Sequence, residues 1–561
     1  MKENEIFQWA TDKLNGNRSI NDRMDKDFDI WNQKETKWDT HKTAINITLP
    51  DGRLFANEVY AKLIAAEMQI IIRMAEREGV DNRDDVSKQE MLLSFALEQA
   101  DRRLAQMLLT PLRDSLIWYG LVRGWRSARI LVWKDKNGVI FDILPLDRRW
   151  LVWDVGKTGL LRVGYITFRS SGEIEEEYGI KPSKGVLSTL RGWAGLPEKD
   201  YVVVDFWEGK ENTVVCHDNI LKKATKHNLR RLPFVIVPVA TRPPVVSQGT
   251  DTSSGYGDSI FAPNRHIYGI DSRLASVEAT HANLLAKQPM INYYDEQGIS
   301  DLKETINQPE AVLNLPMGHN KLESSPMKEV SVTLLNLREF IESRRRRGEL
   351  PYLELGTPPA SGTALAIVQD AGDRIFGPQL RNLNFFYARM CEMIEEQLID
   401  GGYKVEIKAE DKKKYYSADI TPVDLKKPHT IRVEFTATTP WTQMDTYQIA
   451  DMAKRLGLPD EFVWENILKL ADPKRLQGLA AMELAEHSPK FMLLRAIQEC
   501  LDLKRYDEAK MLIKDLYNMS IMEQGEARGE LEPGEAGEDE GTLPLPEEET
   551  PIGGIPTPGA A

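Results

Sequence analysis

No stretch of the 561 residues approaches the roughly 18 consecutive apolar residues that a membrane helix needs, so no membrane partner is expected. Cysteine is almost missing. Cys216, Cys391 and Cys500 are odd in number and far apart, which excludes a disulfide framework, fits a reducing compartment and makes them ordinary buried thiols. The opening MKENEIFQWATDKLNGN carries charges where a secretory signal needs an apolar core, so no export signal is expected and the chain is assigned to the cytoplasm at synthesis.

The motifs of familiar chemistry are missing as well. The eight histidines are scattered, without H-E-x-x-H or C-x-x-C, so no metal site can be read, and there is no G-x-S-x-G nucleophile elbow. Gly156-Lys157-Thr158 has the end of a phosphate loop, but the glycine required five residues before Gly156 is Leu151, and VWDVGKTGLL reads as strand, turn, strand. Gly255 and Gly257 form only G-Y-G, without the third glycine of a dinucleotide site, and are assigned to a turn into the following helix. His281 is assigned to helix packing, hydrogen bonded there. No cofactor and no enzymatic activity are expected.

What is present is the balance of a globular chain, 42% hydrophobic and 28% charged, with net charge −14. The charge is unevenly spread. Residues 521–561 hold eleven acidic residues and one basic residue, Arg528, which leaves only −4 for residues 1–520. The same tail has six prolines, eight glycines and no aromatic residue, so disorder is expected from residue 520. Its acidity reads as a solubility device, a plain extension, or a capture segment for a basic partner such as a scaffold protein.

Along the chain the hydrophobic period changes. Asn57–Gly79 and Asp85–Trp118 show apolar steps of three and four and are expected to be long helices. From Arg126 the period is two: SARILVWKDKNGVIFDILPL is a hairpin around Asn137-Gly138, WLVWDVGKTGLLRVGYITF a second, YVVVDFWEGKENTVVCHD a third, and LPFVIVPVA a further strand. The fold class is therefore α+β. From Gly257 to Pro289, Ile267, Ile270, Leu274, Val277, His281 and Leu284 mark a one-sided helical seam. Strands MINYY and AVLNLP follow, then a helix over 328–347 with seam residues Val330, Leu334, Leu337 and Ile341. After the Gly/Pro loop GELPYLELGTPPASG, a third helix is expected over 363–399, and short helices over 441–519.

Four arginines, Arg344 to Arg347, end the second seam helix just before Gly348. Cations in a last helical turn are favoured by about 0.3–1 kcal/mol each, and Glu339 and Glu342 are within helical reach as partners. The alternative is contact with nucleic-acid phosphates. Successive helical residues diverge by about 100°, so at most two of the four could face one nucleic-acid surface.

The order of these pieces resembles the portal proteins of tailed bacteriophages over nearly the whole chain. SGYGDSIFAPNRHIYGIDSRL, AKQPMINYY, EAVLNLPMG, SGTALAIVQDAGDRIFGPQLRNLNFFYARM and ILPLDRRWLVWD carry the resemblance. It implies a portal-like subunit with a mixed α/β wing (1–256 and 363–440), stem helices (257–288 and 328–347), a small α/β clip (289–327), a tunnel loop (348–362), a helical crown (441–519) and the acidic tail (520–561). It further implies a homo-oligomeric ring, usually of twelve copies, at one capsid vertex of the virion. Such a head-tail connector serves genome packaging and ejection, with double-stranded DNA in its channel. Its other partners would be the large terminase subunit, the major capsid protein, a scaffold protein and the head-completion or tail adaptor proteins. On that reading Arg344, Arg345, Arg346 and Arg347 are candidate DNA contacts. Glu349, Leu350, Pro351, Tyr352, Leu353 and Glu354 form the tunnel loop, and the two seams pack against neighbouring subunits. The competing expectation is a cytoplasmic helical scaffold or adaptor without a DNA channel.

Overall fold

The computed structural model describes residues 3–35, 37–38, 44–74, 83–136, 138–182, 201–217, 219–239, 257–286, 290–294, 312–316, 321–324, 332–349, 377–411, 414–436, 447, 450–459, 463, 488–502 and 505–528. The chain is mixed helix and sheet and divides into two compact units, Met1–Met444 and Asp445–Ala561.

The larger unit opens with helices α1 (Glu3–Gly16) and α2 (Arg18–Trp31). Ile6, Ala10 and Leu14 of α1 recur at the helical step of four and are buried against an antiparallel sheet described below. An extended segment, 44–50, leads into α3 (Asp51–Ala65). Strand β1 (Glu67–Met74) comes next, where helical periodicity to Gly79 is expected from sequence. The structure corrects that expectation: EMQIIIRM carries three consecutive isoleucines, whose branched side chains suit a strand, and β1 finds its partner far along the chain. A second correction follows. The stretch expected as one helix to Trp118 is α4 (Arg83–Gln106) and α5 (Leu112–Val122), separated by a turn with Leu108 at φ 57° and Pro111 directly before α5. Proline cannot continue a helix but can precede its first turn.

The hairpins form where period two and turn residues locate them: β2 (Trp125–Asp135) with β3 (Gly138–Pro145), then β4 (Leu151–Gly156) with β5 (Gly159–Arg169). Lys157 and Thr158 are the turn of the second hairpin. Helix α6 (Ser171–Tyr178) starts in a capping box between Ser170 and Glu173 and ends at Gly179 in the left-handed region. Strands β6 (Tyr201–Glu208), β7 (Glu211–Cys216) and β8 (Asn219–Lys226) complete a five-stranded antiparallel meander, β4-β5-β6-β7-β8, while β9 (Phe234–Pro238) joins β2 and β3. Helix α7 (Arg265–Ala286) leads to a three-stranded sheet of β10 (Met290–Tyr294), β11 (Val312–Pro316) and β12 (Lys321–Ser324), and α8 (Val332–Arg347) follows it.

Helix α9 (Gly377–Gly401) is the axis of the main core. Leu383, Phe386, Met390, Cys391, Ile394 and Leu398 repeat at steps of three, four and one and are fully buried. Around α9 are packed α3, α4, α5, the β2 sheet, the hairpin of β13 (Val405–Asp411) and β14 (Lys414–Ile420), the short α10 (Pro422–Leu425), and β15 (His429–Thr436), which pairs antiparallel with β1. Burial pushes the Cys216 thiol up to about 11 and the Cys391 thiol higher still, whereas Cys500 is only half-buried.

In the smaller unit α11 (Pro489–Asp502) packs on α12 (Tyr506–Arg528). Helix α12 continues nine residues into the segment expected to be disordered from 520. The tail from 529 lies outside the described residues. No described helix is long and apolar enough to cross a membrane.

Candidate functional site

The feature on which the expected function depends is the pair α7 and α8, and its geometry is set where the two helices meet the body. Gly257 turns the chain into α7 at φ +73°, donating its amide to the Val239 carbonyl at 2.9 Å. A Cβ there would lie 2.0 Å from Trp125 Nε1, so only glycine fits. Beneath the turn, Asp27 of α2 accepts from Ser259 Oγ (2.7 Å), Arg265 Nε (2.5 Å) and Arg265 Nη2 (2.9 Å). Arg23, one helical turn earlier, pairs with Asp258 at 3.3 Å. Two charges on one face of α2 thereby anchor both sides of the entry to α7.

The body also grips α7 along its length. Ser272, Ser276 and Thr280 stand every fourth residue, and opposite them run the alternate residues of the extended segment in reverse order. The Leu49 amide donates to Ser272 Oγ (3.2 Å), the Ile47 amide to Ser276 Oγ (2.8 Å) and the Ile45 amide to Thr280 Oγ1 (2.9 Å). Four helical residues rise about 6 Å and two extended residues about 6.6 Å, so the two repeats stay in step over three rungs.

At the other helix, the four arginines separate. Arg345 is buried and pairs with Asp51 at 2.6 Å, Asp271 at 3.2 Å and Glu349 at 3.4 Å, so one cation joins the first residue of α3, the middle of α7 and the end of α8. Burial alone would lower its pKa, but Glu349, Asp51 and Asp271 outweigh burial and raise it. Asp271 has the opposite balance: burial raises its pKa, Arg345 lowers it and the Asp51 charge raises it again, with a net rise. The Arg345 carbonyl accepts from Asn264 Nδ2 at 2.8 Å, and a Cβ on Gly348 would sit 2.5 Å from Asn264 Oδ1. The others face solvent. Arg344 lies 5.0 Å over the Phe340 ring, Arg346 pairs with Glu342 at 2.6 Å, and Arg347 has no ion pair among the described residues.

Of the tunnel-loop residues, Glu349 is buried against Arg345, while Leu350, Pro351, Tyr352, Leu353 and Glu354 lie outside the described residues. Among the seam residues, Leu274 is buried, Ile267, Leu284, Leu334 and Ile341 are half-buried, and Ile270, Val277 and Leu337 are exposed at 48%, 46% and 46%. Val330 is outside the described residues. The helices hold each other through the ion pair of Arg338 with Glu278. Sequence reading missed the anchors Arg23, Asp27 and Asp51 and the hydroxyl ladder; a Ser/Thr every fourth position on α7 was the visible signal for the latter. No known family model matches the sequence, and no curated protein matches it.

Proposed function

We propose that the chain is the subunit of a bacteriophage portal ring, a non-enzymatic channel through which double-stranded DNA is packaged and ejected at one capsid vertex. The observation that carries this reading is the excursion α7, small sheet, α8. Two helices leave the body at a charged base, bracket a three-stranded sheet, and keep Ile270, Val277, Leu335, Leu337 and Phe340 outward. Apolar side chains on a helix pair with so little mutual core are covered most economically by neighbouring copies, and a head-to-tail contact closes as a ring. In this assignment residues 1–256 and 363–440 are the wing, α7 and α8 the stem, 289–327 the clip that meets terminase and later the adaptor proteins, 348–362 the tunnel loop, and 441–519 the crown. ATP chemistry belongs to the terminase.

The same reading divides the arginines. Arg345 holds the stem to the wing, and Arg344, Arg346 and Arg347 are the cations offered to DNA, multiplied by the copy number around an annulus. The test is electron microscopy of the purified full chain. Rings with a central hole wide enough for duplex DNA are expected; monomers or open filaments at every concentration would favour a helical scaffold or adaptor instead.

A further inference from the structure

The five-stranded sheet ends at β8 in an unusual edge. From Asn219 to Thr250 the sequence contains no aspartate or glutamate, although acidic residues outnumber basic ones in the chain. Within that window β8 runs NILKKATK and is followed by HNLRR. Ile220 and Leu221 tie the strand to the sheet, but all five residues from Lys222 to Lys226 are exposed, and of these Lys222, Thr225 and Lys226 are in register with β7. Nothing apolar holds this half of the strand in place.

The register re-aims the lysines. Lys222 stands opposite Val214 and Thr225 opposite Asn212, so β8 spends three steps where β7 spends two. The extra residue resets the alternation and brings Lys223 to the face shared by Lys226, with Lys222 on the other. Lys222 is used locally, donating to Asn212 Oδ1 at 2.7 Å, and Arg231 pairs with Glu396. Lys223, Lys226 and Arg230 are exposed and have no ion pair among the described residues; the same holds for Lys210 in the β6–β7 turn, whose carbonyl accepts the His227 amide at 2.9 Å. Nearby acids are Glu211, opposite Lys226 in register, and Asp400, which accepts the Arg230 amide.

We propose that this edge, through Lys210, Lys223, Lys226 and Arg230, binds the phosphate backbone of nucleic acid. The common use of edge lysines is to block sheet-to-sheet aggregation. That use accounts for charges on the strand, but not for the continuation into Arg230 and the adjoining turn, where there is no edge to protect. A protein partner would need an aromatic or aliphatic anchor, and the exposed residues of 222–231 are Lys, Ala, Thr, Asn and Arg only. Several unpaired cations without an apolar anchor are the composition of a phosphate-backbone contact, which is independent of base sequence and sensitive to salt.

The test is fluorescence anisotropy of the full chain with a short labelled duplex of arbitrary sequence, titrated at several salt concentrations. The variant is Lys223→Glu/Lys226→Glu/Arg230→Glu, with Lys223→Gln/Lys226→Gln as a milder pair and thermal unfolding as the check on folding. Affinity is expected to fall at least about tenfold at low salt, and the slope of log affinity against log salt to shrink by about 2–3, at roughly 0.9 for each phosphate no longer neutralised. Unchanged affinity and slope in a folded triple variant would overturn the proposal, as would tight binding of polyglutamate with none of the duplex. The inference does not depend on the channel reading: rings with unaltered DNA binding in the triple variant would sink this one alone.

Discussion

Two buried arginines join helices to the body of this protein, and they are neutralised in opposite ways. Arg126, fully buried, donates to Asn382 and to Gln379 Oε1 (3.0 Å) on α9 and has no carboxylate partner among the described residues; burial lowers its pKa to about 9. Arg345 has three carboxylates around it and a raised pKa. The first site surrounds a charge with dipoles in the middle of an apolar core. The second sits at the base of a helix pair and carries more negative than positive charge. Removing a partner that leaves charges unpaired costs more than removing one that leaves neutral dipoles unpaired. The less buried arginine should therefore be the more costly to lose.

The largest effect is expected for Arg345→Met, which removes the cation shared by Asp51, Asp271 and Glu349. A loss of about 3–5 kcal/mol is expected in urea unfolding at neutral pH, as for breaking a buried ion pair. Part of that loss should be recovered in mild acid, where Asp271, whose pKa burial already raises, takes up a proton and relieves the repulsion. Arg126→Met is expected to cost about 1–3 kcal/mol, since it leaves only the Gln379 and Asn382 amide oxygens without their donors. A larger loss at Arg126 than at Arg345 would invert the comparison. Gly120 sharpens it, because a Cβ there would lie 2.5 Å from the Arg126 guanidinium carbon. Gly120→Ala should be destabilising by about 1–3 kcal/mol in the native background and markedly less so beside Arg126→Met, giving a measurable coupling in a double-mutant cycle.

The contrast also marks how far sequence could be read. The β4–β5 and β6–β7 hairpins were legible because alternation and turn residues lie within one short window. The eight residues of β1 were not: a contiguous apolar run has no period that separates helix from buried strand, and the decision rests on β15. The arginine run was legible as a helix end but not as four different roles. Geometry on a helix singles out one residue in four, and Asp51 and Asp271, which choose Arg345, approach from other elements. The hydroxyl ladder lies between these cases. Its spacing on α7 is plain in sequence, while its purpose appears only when the extended segment 44–50 is seen to run beside it. Ser276→Ala, which removes the rung at 2.8 Å to Ile47, should cost about 1 kcal/mol and raise amide exchange at Ile45 and Ile47 before it affects the core.

The smallest expected effect is a pH slope at a third cation, an imidazole that carries charge only when doubly protonated. His429, at the start of β15, lies 2.8 Å from Glu395 on α9 through Nε2 and 2.6 Å from the Lys427 carbonyl through Nδ1, and both side chains of the pair are nearly buried. Two acceptors facing the two ring nitrogens favour the doubly protonated imidazolium. The Glu395 hydrogen bond, working against burial, raises the His429 pKa above its ordinary value of 6.5. A base whose folded pKa is raised binds its proton more tightly in the folded state, so its contribution is complete below the unfolded value and is lost as pH rises through the folded one. Stability should therefore decline from pH 6 towards alkaline pH by a component that His429→Gln removes, while Arg345, whose pKa is raised, stays charged across that window. The wild-type and His429→Gln curves of unfolding free energy against pH should converge on the alkaline side and separate on the acid side; parallel curves would mean that the imidazole stays neutral and that the β15 contact with α9 does not depend on its charge.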